Sequence, residues 1–169
     1  MPNMDAANGF RWHRRGGGTG SAVLQRHKIG DATEVKFGDP VSLDSDGLVV
    51  RAATDADILG VAAHDHPPDG VIPGDWYKGE IDIYPADMDT LFHVQVSEDA
   101  DFVHATHVGN AYGFKGDAGE VELDLTSDSA GDQAFYVLAI HPNSVEDESN
   151  ARVIGYFVNT ARGKAENSA

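Results

Sequence analysis

The chain contains no cysteine, so neither disulfides nor thiolate metal sites can hold it together. No apolar run approaches the ~18 residues that a membrane-spanning helix needs. The N-terminal residues lack the apolar centre of a secretory signal. Nowhere does an apolar period of 3.6 persist through a helix-length window, so helix should be scarce. A soluble protein made in the cytoplasm, with no membrane partner, is the expectation. At 169 residues one domain with a sizeable core is expected.

Basic side chains are also few, 12 Lys and Arg against 28 Asp and Glu, for a net charge of −16. They are unevenly placed. Residues 1–29 hold Arg11, Arg14, Arg15, Arg26 and Lys28 against Asp5 alone, a charge of +4, and residues 30–169 carry −20. An acidic body repels phosphates, which argues against a nucleic-acid partner. Dense surface acid also keeps a concentrated protein soluble.

What the chain does have is strand grammar. Runs at 22–29, 34–37, 41–43, 48–52, 58–63, 80–84, 91–96, 102–107, 120–125, 134–140 and 152–158 alternate or cluster apolar residues between turn signals, the pattern of an all-β protein. The expected fold is a small β-barrel or sandwich with an extended N-terminal arm and little helix. Thr54 to Asp57 and Pro85 to Thr90 each have room for one helical turn. Asp44-Ser45-Asp46-Gly47 supplies a tight hairpin turn, with glycine accepting a positive φ. Alternation assigns Val41, Leu43, Val50, Ile58, Val61, Ile81, Ile83, Phe92, Val94, Val121, Leu123, Phe135, Val137, Ile140, Ile154, Tyr156 and Val158 to the core. The body is expected over 22–160 and a fraying polar tail over 161–169.

Residues 1–21 read as a basic, glycine-rich arm, because the run Gly16 to Ser21 sustains neither helix nor regular strand. Inside it lies Phe10-Arg11-Trp12-His13-Arg14-Arg15. Arg and Trp are enriched where partners bind, so Phe10, Arg11, Trp12, Arg14 and Arg15 are the candidate partner-binding residues. A merely loose terminus is the competing reading.

Catalytic and metal chemistry find little support. His64 and His66 flank Asp65, and on a strand both rings would share a face; His104 and His107 lie three apart. Without an HExxH or Cys/His framework, these pairs read as surface or interface histidines rather than zinc ligands. At a subunit contact, their protonation near pH 6 would loosen it. Asp44-x-Asp46-Gly47 lacks the later ligands of a calcium loop and has its glycine at the wrong offset. The glycine run is followed by no Gly-Lys-Ser/Thr, and there is no GxSxG. No carboxylate pair stands out from so many. The sequence therefore nominates no catalytic residue, no metal site and no cofactor, and it reads as a non-enzyme. Trp76 and Tyr77, after Pro73-Gly74-Asp75, are the aromatics a loop could expose to a carbohydrate or small ligand.

The order of the pieces resembles a family of tailed-bacteriophage head proteins that act as capsid decoration, or cement. The features that carry the resemblance are Asn8-Gly9-Phe10-Arg11 with the glycine-rich arm, GDPVSLDSDG at 38–47, and ILGVAA at 58–63. Val108-Gly109-Asn110-Ala111-Tyr112 and Val121-Glu122-Leu123-Asp124 follow. The last are Phe135-Tyr136-Val137-Leu138-Ala139-Ile140 and Arg152 to Asn159. The loops at 64–79 and 141–151 are individual to this chain. The resemblance implies a β-body on the outer surface of a virion, many copies per particle, no catalysis, and the major capsid protein as partner. Analogy with three-fold capsid seams adds a homotrimer. Deletion of 1–21 is then expected to leave a folded body that no longer saturates particles. The alternative is a stand-alone β-barrel binding module for carbohydrate or a small ligand.

Overall fold

The computed structural model describes residues 8–15, 22–30, 33–66, 79–87, 89–127 and 133–160. The start of the arm, its glycine run, Trp76, Tyr77 and the C-terminal tail lie outside them, as does the side chain of Arg15.

The chain is all-β, built from two antiparallel sheets in a sandwich-like arrangement. One sheet has six strands: β1 (Arg11–Arg15), β7 (Thr90–Gln95), β11 (Arg152–Phe157), β10 (Phe135–Ile140), β8 (Ala111–Lys115) and β9 (Glu122–Asp124), in that spatial order. The other has five: β2 (Gln25–Lys28), β6 (Glu80–Pro85), β5 (Gly60–Ala62), β3 (Pro40–Leu43) and β4 (Val49–Arg51). Both sheets curl. A lone bridge Val96↔Leu123 joins the end of β7 to β9, and Ile29↔Val49 joins the end of β2 to β4. The sequence left barrel and sandwich open; among the described residues the sheet ends meet only through these lone bridges, and the arrangement is sandwich-like.

Alternation explains the packing. On β6, Ile81 and Ile83 are buried while Asp82 faces outward toward Arg26 of β2. The five-stranded sheet encloses a small cluster of Ile29, Val35, Val41, Val49, Ala62, Ile81 and Ile83. The larger core gathers Phe92, Val94, Phe114, Leu123, Phe135, Val137, Val153 and Phe157 of the six-stranded sheet with Ala52, Ile58 and Val61 from the other. β5 is buried on both faces, sending Val61 to the larger core and Ala62 to the smaller. It is the partition between the two.

Several expectations change. Residues 102–107 are not a strand: Phe102 plugs the core and the chain then makes one helical turn, α1 (His104–His107). That turn is held by the buried Phe102 and by Val103 N–H donating to His107 Nδ1 at 2.8 Å, so no periodic pattern announces it. Neither 54–57 nor the described residues of 85–90 are helical, and 34–37 contributes only a bridge at Val35. β8 was not anticipated. Leu43, at the tip of the β3–β4 hairpin, and Val158, just past β11, are 44% and 43% exposed. On β4 the fully buried residue is Val49, one position before the expected Val50. The hairpin itself forms as read: Asp44 Oδ1 accepts the N–H groups of Asp46 and Leu48 at 2.9 Å, and Gly47 has φ +75°.

Candidate functional site

The largest revision concerns the N-terminal segment. Residues 8–15 are not a free arm. β1 pairs with β7 (Arg11↔His93, Trp12↔Phe92, Arg14↔Leu91) and forms the outer edge of the six-stranded sheet. Phe10 has no exposed surface, and its ring meets Phe157, Phe135 and Phe114 at centroid distances of 4.8, 5.0 and 5.8 Å. Phe10 is therefore not the partner anchor expected of it, because its whole apolar surface is used inside its own chain. Deleting 1–21 would remove a core plug and an edge strand, so it cannot serve as a test of binding alone.

The entry of this segment into the fold depends on a close backbone crossing. Phe10 N–H donates to Gly38 O at 2.8 Å. Gly9 and Gly38 have φ +72° and +92°, and a Cβ on Gly9 would stand 2.5 Å from Gly38 O. Only glycine tolerates that approach in that conformation. Next to it Asp39 is fully buried, its carboxylate accepting Lys36 N–H at 2.9 Å and Gly119 N–H at 2.7 Å. Burial pushes its pKa up, opposed by those two hydrogen bonds. Gly38 N–H and Ala62 N–H then exchange bonds with Ala62 O and Asp39 O. The Asn8–Arg11, Gly38–Pro40 and Ile58–Ala63 motifs thus meet at one junction.

The other candidates divide. Trp12 is partly buried against the larger core and stacks on Tyr84 at 6.5 Å. The Arg11 guanidinium lies 3.7 Å over the Phe37 ring, a cation–π contact, and its Nε reaches Asn8 Oδ1 at 3.5 Å. Arg14 alone of the nominated side chains described is exposed.

Three of the four paired histidines are engaged within the chain. His66 is buried and its Nδ1 lies 2.8 Å from Thr33 O; His64 Nε2 accepts Asp82 N–H at 3.1 Å. His107 caps its own helical turn, between Phe102 and Tyr112, while His104 is exposed. His66 therefore departs from the surface or interface role expected of it.

A different set converges: His13, His93 and His141, with one ring nitrogen each, all within 4.8 Å of one another. Phe92 and Val94 face the core, so His93 between them projects from the opposite face of β7. His13 is the extra residue where the β1–β7 register shifts between Trp12 and Arg14, and such a bulge re-aims its side chain. His141 follows β10 directly. Desolvation, then His141 and Arg152, hold His93 down to about 4. Burial likewise lowers His13, helped by Arg14, and His141, helped by Arg152. Nothing in the residue spacing announced this set, whose members lie on three separate segments. A small cleft of ≈ 170 Å³ lies beside Arg51, Thr54, Phe114 and Lys115.

No family model and no curated protein matches the chain. Among solved structures, the crystal structure of the pre-mature bacteriophage phi29 gene product 12 is similar at 13% identity and a TM-score of 0.41, over 90% of this chain and 22% of that one. A likeness that distant carries no argument about function.

Proposed function

We propose that the chain is a structural virion protein that decorates and stabilises a tailed-phage capsid from outside, bridging subunits of the major capsid protein. The observation that supports this most is the junction. Motifs that carry the resemblance to capsid decoration proteins, far apart in sequence, belong to one contact in space, where Phe10 N–H meets Gly38 O and Asp39 is enclosed. They behave as one structural signature rather than scattered turn grammar.

The physics of the role is simple. A protein that binds only the assembled shell shifts the equilibrium toward assembly, and repetition over a lattice lets modest contacts add. β1 has a neighbour on one side only among the described residues. An open strand edge can accept another chain by main-chain pairing, and exposed Arg14 stands on it. The acidic body would face solvent on the particle surface, and a homotrimer at three-fold seams, made in the host cytoplasm, completes the reading.

The test is quantitative mass spectrometry of purified particles from the encoding virus. Near parity with the shell protein is expected, and absence from particles would end the proposal. Arg14→Glu, which leaves Phe10 and the junction intact, is expected to lower occupancy without loss of folding; full occupancy would remove β1 from the contact.

A further inference from the structure

We infer that His13, His93 and His141 form a binding site for a late divalent transition metal such as Zn²⁺, with the fourth position left open. The ion would tie the edge strand β1 to β7 and to the end of β10.

Four observations carry this. The three candidate ligand atoms already lie within 4.8 Å of one another. Tetrahedral zinc with Zn–N near 2.0–2.1 Å needs them about 3.3 Å apart, a closure within reach of small side-chain rotations. The rings are inclined around a common point rather than stacked: centroids are 5.2 Å apart at 88° for His93–His141, 5.9 Å at 58° for His13–His93, and 6.0 Å at 76° for His13–His141. Three imidazoles bound to one tetrahedral ion would have centroids about 5 Å apart. Next, His93 Nδ1 is buried without a hydrogen-bond partner among the described residues, a state that native proteins seldom leave unexplained. Finally, the β1 bulge falls at His13 and turns that ring to the cluster.

Two features weigh against tight binding, and both shape the prediction. Arg152, Arg11 and Arg14 contribute positive charge around the cluster, which disfavours a dication and favours an anion, hydroxide or carboxylate, as its fourth ligand. His141 Nδ1 accepts a long 3.3 Å bond from Asn143 N–H, which ligation through that nitrogen would displace. Imidazole donors without thiolate suit zinc, copper or nickel rather than calcium or magnesium.

The experiment uses the full, untagged chain. Calorimetric titration with ZnCl₂ is expected to give one site per chain, well above the weak background of surface carboxylates, and to raise the melting temperature. His13→Asn and His141→Asn should each weaken Zn²⁺ at least tenfold, while His104→Asn, at an exposed histidine elsewhere, should not. Co²⁺ should give the intense visible bands of a four- or five-coordinate site. In the wild type, long-range ¹⁵N–¹H spectra should show the rings of His13, His93 and His141 shifting together at one equivalent of Zn²⁺; this decides the matter even if a variant fails to fold. Weak multi-site binding indifferent to His13→Asn, an equal loss from His104→Asn, or ring shifts at other histidines would overturn the site.

Discussion

Replacing Phe10 by alanine distinguishes an N-terminal arm from an integral part of the core. Phe10 is fully buried and contacts the rings of Phe114, Phe135 and Phe157. Truncating a buried phenylalanine costs about 3–5 kcal/mol, from lost transfer energy plus the cavity left behind. Inclined aromatic pairs are worth about 0.5–1.5 kcal/mol beyond burial, which lifts this residue off the bottom of that range to about 4 kcal/mol. Against a total stability of about 5–15 kcal/mol, that is a large share. For a chain of this size each kcal/mol moves the melting point by about 2–4 °C, so a fall of roughly 8–16 °C is expected. Urea unfolding followed by circular dichroism would measure it, with Arg14→Ala as a surface control expected within about 0.5 kcal/mol of the parent. A Phe10→Ala loss below about 1 kcal/mol would refute the placement of this ring and restore the free arm.

Two buried or paired carboxylates should respond to pH with opposite sign. Asp39 is raised in the fold, chiefly by burial, so it resists ionisation there and its contribution to stability declines as pH rises from its unfolded value near 3.8 toward the higher folded one. Asp39→Asn should flatten that decline, and because an amide nitrogen cannot accept the Lys36 or Gly119 N–H, it should also cost about 1–3 kcal/mol near neutral pH; an unchanged midpoint in neutral urea melts would contradict the buried bonds. Asp82 is lowered, first by its hydrogen bonds to Arg26 at 2.8 and 3.2 Å. Its stabilisation is present above pH ~4 and is lost as pH falls through the lowered folded value. Since Arg26 is 53% exposed, Asp82→Asn should cost only about 0.5–1 kcal/mol at pH 7, with the difference from the parent vanishing in acid. A difference that persists in melts at low pH would rule out the ion pair as its source.

Strand grammar was legible wherever one face is buried and the other is not, as on β6, where Ile81 and Ile83 alternate with acid. The β3–β4 hairpin was legible because Asp44 and Gly47 carry their turn chemistry locally. β1 was hidden because cationic side chains and a glycine run mask the alternation of Phe10 and Trp12, inward, with Arg11 and His13. The buried carboxylate of Asp39 looked like ordinary turn punctuation, since its bond from nearby Lys36 is that of a turn and its second donor, Gly119, is brought to it only by the fold. The histidine set was hidden for the same reason. Adjacent pairs such as His64 and His66 attract notice in a sequence, yet each of these rings is engaged separately, with Thr33 O and Asp82 N–H, while ligand-like convergence arose from the pairing of β1 with β7.

The residue types that mark binding surfaces, Phe, Trp and Arg, are the same types that close a core, and burial decides between the two uses. In this segment Phe10 and much of Trp12 are committed inward, and Arg11 is held over Phe37. Among the described residues, what the proposed partner would meet is the side of β1 away from β7 and the exposed Arg14, together with exposed Val23 and Leu24 just before β2, the edge strand of the other sheet. A bridging protein gains from this division. The strand that would meet its neighbour is anchored by Phe10 before any encounter, so docking does not have to supply the full entropy of ordering it. The proposed contact would then be built on a rigid edge rather than a loose tether, and a metal at His13 would stiffen that edge further.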